Sequence, residues 1–205
     1  MTGSAQASES ELQPEDAARA AFYGLIARLF YAPPDEQLVG ELLHAKVFDA
    51  GAAPGGTLAA AWHDMVEACR AVFPVTLENE HTALFIGTGR AEVTPYLTHY
   101  VIQYATDNPL VELRQQLAKW QIGRQESASE PEDHIAGVCD AMRFAIAVQH
   151  RTIEEQKAFF DRFVYRGAVL FCDAVSASSK AVFYRLVARF ARAFFEVERE
   201  AFEMN

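Results

Sequence analysis

With 205 residues, 51% of them hydrophobic, the chain is long enough to bury a core and too apolar to be disordered, and the usual domain size of about 100 to 200 residues predicts one folded unit. Its net charge of −10, from 28 acidic against 18 basic residues, argues against nucleic acid as a partner and favours a cationic one. No stretch approaches the roughly 18 uninterrupted apolar residues that span a bilayer, so membrane insertion is not expected.

Met1 to Gln13 is rich in Ser, Ala and Glu, with no apolar run and no basic residue, and therefore lacks both parts of a secretory signal. The expectation is a disordered tail over residues 1–13, one all-helical domain over 14–205, and a cytoplasmic location. Cys69, Cys139 and Cys172 are far apart, form no Cys-x-x-Cys, and fall among apolar residues, which predicts reduced core cysteines.

Every strongly periodic segment repeats near 3.6 residues and none alternates at strand length, so the predicted fold class is all-α, a helical bundle. The first helix runs from about Pro14 to Tyr31, burying Phe22, Leu25, Ile26, Leu29 and Phe30, and stops before Pro33-Pro34. A short helix follows from Asp35, then a Gly/Ala/Pro loop over Gly51 to Gly56. The stripe Leu58, Ala61, Trp62, Met65, Val66, Cys69, Val72 and Phe73 predicts a long helix ended by Pro74. Thr76 is expected to cap a helix through about Phe85. Asn108-Pro109 begins another, with Leu110, Leu113, Leu117 and Trp120 inward before Gly123. Pro131 is expected at the first position of the next, with Glu132 and Asp133 in its first turn, His134 close behind at an exposed end, and the polar stretch Ser127-Ala128-Ser129 ahead of it. Thr152-Ile153-Glu154-Glu155 is a capping box opening a Phe-rich helix. Ser178-Ser179 is expected to start the last helix, with Phe183, Leu186, Val187, Phe190, Phe194 and Val197 inward.

His134 stands out because a helix N-terminus is an unfavourable place for a protonated imidazole. Two readings follow from the residues: a binding edge, or a buried, hydrogen-bonded structural histidine. The segment Ile86 to Tyr96, rich in Gly and Pro between helices, is the other candidate functional region, and Tyr96, His99 and Tyr100 offer apolar bodies with polar tips suited to peptide contacts. The alternative is that Tyr96 and Tyr100 only anchor the loop.

Enzymatic alternatives are less complete. Glu41-Leu42-Leu43-His44 and Glu78-Asn79-Glu80-His81 match the Glu-x-x-His spacing of four-helix di-iron proteins, but the two further inward glutamates are not evident, with only Glu15 and Glu67 on offer. Asp133 and His134 are adjacent, so on a helix they would point about 100° apart, and no activated Ser or Cys nucleophile accompanies them. Gly87-Thr88-Gly89-Arg90 resembles part of a phosphate loop without its Lys-Ser/Thr ending. A metal-dependent or nucleotide-binding helical enzyme remains the competing class. No catalytic residue, metal ligand or cofactor is assigned.

Glu130-Pro131-Glu132-Asp133-His134 matches in full the Glu-Pro-x-Asp-His hallmark of the TorD/DmsD/NarJ family of molybdoenzyme maturation chaperones, which the chain resembles over nearly its whole length. Leu84-Phe85-Ile86-Gly87, Pro95-Tyr96 and Tyr100 follow that family's helix, glycine loop and Pro-aromatic pattern, and Tyr23 with Leu29-Phe30-Tyr31 and Pro33-Pro34 resemble its first helix. The resemblance implies an all-helical, non-enzymatic cytoplasmic protein. Such a protein binds the twin-arginine leader, and often the apo-form, of a molybdenum-dependent oxidoreductase of the DMSO/TMAO reductase or formate dehydrogenase type until its cofactor is inserted and export follows. It also implies Asp133 and His134 as leader contacts, Glu130 and Pro131 shaping that edge, and Leu84, Phe85, Pro95, Tyr96 and Tyr100 at the neighbouring groove. The partners implied are the molybdoenzyme catalytic subunit with its leader and the molybdenum cofactor insertion machinery, with monomer and homodimer both open. After Phe163 the chain reads Val164-Tyr165-Arg166-Gly167, where many relatives carry a His-Leu and a Trp, so client preference does not transfer through that stretch.

Overall fold

A computed structural model describes residues 12–45, 56–87, 89–104, 108–123 and 130–204. Most of the expected tail, the loop over 51–55, Thr88 and Ser127-Ala128-Ser129 lie outside the described residues.

Helix α1 spans Pro14–Tyr31, with Pro14 in its first turn beside Glu15 and Asp16, and the chain turns extended at Ala32 ahead of Pro33. Asp35 caps α2 (Glu36–His44), its side chain accepting from Leu38 N–H at 2.7 Å. Helix α3 (Gly56–Cys69) stops before Val72 and Phe73, which the apolar stripe had placed in it. Phe73, 71% exposed, instead occupies the N-cap of α4 (Pro74–His81), so Pro74 opens that helix and Thr76 lies inside it rather than capping it. A π-helical turn over Thr82–Ile86 carries α4 onward. Gly87 closes it with φ +66°, donating to Thr82 O at 2.8 Å, and a Cβ there would collide with Arg90 O, so the left-handed turn requires glycine.

After α5 (Thr98–Val101), α6 spans Pro109–Lys119 and ends with Gln121, not Gly123, in the left-handed conformation (φ 57°). Helix α7 is Ile135–Ala147. The capping box at Thr152 is present as expected, opening α8 (Ile153–Phe159). A second π-helical turn, Phe160–Val164, then separates α8 from α9 (Tyr165–Ala177). The last helix, α10 (Phe183–Met204), begins four residues beyond Ser179. Its start is fixed from a distance: the Glu80 carboxylate on α4 accepts from Val182 N–H (2.7 Å), Phe183 N–H (3.1 Å) and Tyr184 N–H (2.8 Å), satisfying three donors the helix cannot pair internally.

Helices α1 and α7 run antiparallel as the most intimate pair in the fold. Gly24 meets Arg143 near their middle, and Tyr31 meets His134 at the end. Around them α3, α9 and α10 complete one core dominated by aromatic rings; Phe30, Phe85, Phe171 and Tyr184 pack edge to face or tilted with centroids 5.0 to 6.0 Å apart. Cys69, Cys139 and Cys172 are free and buried, and burial pushes the Cys69 thiol up to about 11, so these thiols stay protonated and unreactive. Among the described residues there is no strand, and no helix is long and apolar enough to cross a membrane.

Candidate binding edge

The Pro-aromatic segment and the Glu-Pro-x-Asp-His segment are brought together by backbone pairing. Tyr96 and His134 form an isolated antiparallel bridge, flanked by Leu97 N–H to Asp133 O at 2.8 Å and Ile135 N–H to Pro95 O at 2.9 Å. Pro95 has no N–H to offer, and here only its carbonyl is needed. Gly167 on α9 lets this strap lie close, since a Cβ there would come within 2.9 Å of Leu97.

Pro131, Glu132 and Asp133 precede α7 in a turn rather than forming its first turn, as the sequence had suggested. His134 itself is the N-cap, and its Nδ1 accepts from Ala136 N–H at 3.1 Å. That geometry places the imidazole proton on Nε2 and requires a neutral ring. Asp133 and His134 are 3% and 5% exposed, so the end of α7 is not the exposed edge that was expected. Asp133 accepts from Thr98 Oγ1, tying the start of α5 to the turn. Burial holds the His134 pKa below the usual imidazole value, with Glu130 and Asp133 opposing and His81 assisting that shift. His81, sealed against Phe85 (5.2 Å) and Tyr184 (5.7 Å), is lowered by burial as well.

The partly exposed rim is different in character. Tyr96 OH donates to Glu130 Oε2 at 2.9 Å, and burial, followed by that carboxylate, raises the phenol pKa. Glu132 pairs with Arg114 at 2.9 Å. Tyr100 OH donates to Thr94 O at 2.8 Å and is pushed up to about 12 by burial, which makes it an anchor of the loop. Leu84 and Phe85, expected to line a groove, are core residues, with Leu84 fully enclosed; Pro95 is buried too. Their apolar character serves the interior, which periodicity could not distinguish from a lined groove. Conversely, sequence reasoning did not place Tyr31 at this site, where its ring stands edge-on to His134 at 6.4 Å while Tyr96 does the same at 5.9 Å. The signal available was its position at the end of α1, out of step with the buried face.

The Glu-x-x-His pairs are accounted for structurally. Glu41 is bound by Arg28 at 2.7 Å on the surface, His44 Nδ1 meets Gly40 O at 2.7 Å, and His81 is in the core. Among the described residues no group of three or more His, Cys, Asp or Glu side chains is placed to hold a metal.

Because the cap needs a neutral imidazole, acid should undo it. The unfolded chain binds a proton at His134 and His81 at about pH 6.5, whereas the folded chain resists it, so their contribution to stability is complete above that pH and is lost progressively below it. Urea midpoints are expected to fall between pH 7.5 and pH 5. His134→Asn, which keeps an uncharged capping acceptor, should flatten that fall, while His134→Ala should cost about 0.5–2 kcal/mol at neutral pH. An unchanged pH slope in His134→Asn would refute this account.

The arrangement is a helical scaffold on which Tyr31, Tyr96, Glu130 and Asp133 surround the enclosed, uncharged His134. The family model described as the nitrate reductase delta subunit matches residues 52–173, and the chain belongs to that family of NarJ/TorD-type chaperones. A solved structure from Archaeoglobus fulgidus, assigned as a redox enzyme maturation protein, is similar in fold, with a TM-score of 0.56 and 19% identity over 87% of this chain and 93% of the other. No curated protein matches the sequence.

Proposed function

We propose that this chain is a redox-enzyme maturation chaperone that holds the cationic leader of a molybdenum-dependent oxidoreductase, in the cytoplasm, until the cofactor is in place, and that it catalyses nothing itself. The observation that carries the reading is the pairing of Tyr96 with His134, which assembles two distant segments into a rim of tyrosine faces and carboxylates on a protein of net charge −10. Twin-arginine leaders combine two guanidinium groups with an apolar stretch, and guanidinium recognition calls for carboxylates and aromatic faces. Membership of the nitrate reductase delta-subunit family supports a client among such oxidoreductases.

Residues of the implied site divide by accessibility. Glu130, Pro131 and Tyr96 are partly exposed and act as contacts; Asp133, His134 and Pro95 shape the rim from beneath, and Tyr100 anchors its loop. Calorimetric titration of a synthetic peptide, an Arg-Arg pair followed by roughly 7–15 apolar residues, tests this. Glu130→Gln is expected to weaken binding about threefold to tenfold, as loss of one charge-assisted contact at a half-exposed rim. Absence of binding by the unmodified chain would reject the function, and equal affinity for Glu130→Gln would reject the edge.

A further inference from the structure

We infer that Tyr31 is the platform on which one arginine side chain of the client leader stacks, an assignment that rests on the leader-binding reading above. Tyr31 is the last residue of α1 and is 50% exposed, although Phe30 beside it is only 1% exposed. The hydroxyls of Tyr23, Tyr96, Tyr100, Tyr165 and Tyr184 all have protein partners. That of Tyr31 has none among the described residues, so the hydroxyl does not tether this ring to the protein and its aromatic face is the part left to be used. What fixes the ring is its contact with the enclosed His134, centroids 6.4 Å apart and planes at 79°, which braces it and leaves the remainder to solvent.

Three features make this spot attractive to a guanidinium. Tyr31 lies at the C-terminal end of an 18-residue helix, where the backbone dipole favours positive charge. The Glu130 and Asp133 carboxylates act electrostatically on the same His134 ring against which Tyr31 rests. His134, kept neutral as the cap of α7, adds no opposing charge. A planar, weakly hydrated guanidinium satisfies an aromatic face and a nearby carboxylate together, which a compact ammonium does less well.

A double-mutant cycle by calorimetry tests the assignment, using the Arg-Arg peptide, the two peptides with one arginine replaced by Gln, and the full chain as wild type, Tyr31→Phe and Tyr31→Leu. Tyr31→Leu is expected to bind the Arg-Arg peptide two- to fivefold more weakly, Tyr31→Phe to match wild type, and one of the Gln peptides to erase the difference. Equal affinity for Tyr31→Leu, or the same loss with all three peptides, would overturn it, the latter by showing a merely apolar contact. A wild-type chain that ignores every peptide would instead refute the leader-binding reading itself, and thermal melts of each variant identify any that has lost its fold.

Discussion

Glu198→Ala is expected to destabilise the fold by about 3–5 kcal/mol, the usual consequence of removing one partner from a buried ion pair. Glu198 is 2% exposed on α10, where it receives Arg19 Nε at 2.7 Å, Arg19 Nη2 at 2.9 Å and Tyr23 OH at 3.0 Å. Burial alone would favour a neutral Arg19, and the Glu198 carboxylate, together with Tyr23 and Asp16, more than offsets this, so its pKa stands above the ordinary guanidinium value. Truncation strands that cation beside Asp16 alone among its ion-pair partners and leaves the fully enclosed Tyr23 hydroxyl unpaired. The loss is a large part of the 5–15 kcal/mol typical of a domain, and should lower the melting temperature by roughly 6–20 °C. Urea unfolding with an unchanged m-value measures it. The double variant Arg19→Met, Glu198→Leu is expected to recover most of the loss, since apolar replacement of an entire buried pair is commonly neutral. A single-variant cost under about 1 kcal/mol would show the pair to be equivalent to a surface bridge.

Neither partner of that pair was marked by the sequence. Arg19 reads as an early surface position of α1, and Glu198 sits among the charged residues Glu196, Arg199 and Glu200, beside the Val197 that periodicity turns inward, whereas the register of α10 buries Glu198. Glu80, an intervening position of the Glu78-x-x-His81 pair with no metal-like spacing of its own, serves as the remote cap of α10. Such partners are separated by about a hundred residues or more, and helical periodicity carries no information about them. Local rules did well where the signals were local: Pro14 and Pro33 bracket α1 at both ends, and the Thr152 capping box fixes the start of α8. They misplaced the start of α7 because Glu-Pro-Glu-Asp satisfies every preference of a first helical turn. Tertiary pairing of residues 133–135 with 95–97 claims those backbone groups and delays the helix to Ile135. The two π-helical turns shift the phase of buried residues just after α4 and between α8 and α9, which a fixed period cannot register.

The same distinction between rim and interior separates two accounts of Phe85. The family resemblance implies a groove residue, so its truncation should weaken leader binding in a protein of normal stability. The structure places its ring against Phe30 at 5.9 Å, Phe171 at 6.0 Å, His81 at 5.2 Å and Tyr184 at 5.1 Å, with 8% of the residue exposed. Phe85→Ala should therefore open a cavity within this aromatic cluster and cost about 3–5 kcal/mol of stability. Because Tyr184 follows the α10 start that Glu80 caps, relaxation around the cavity should also loosen that end of the helix, visible as faster amide exchange at Tyr184 than at Phe194. Leader affinity, corrected for the fraction folded at the temperature of titration, is expected to stay within about twofold of wild type, since the cost falls on folding rather than contact. A variant that melts normally yet binds tenfold more weakly would return Phe85 to the groove, and would mean that the binding-competent chain opens the core between the α4 π-turn and α9.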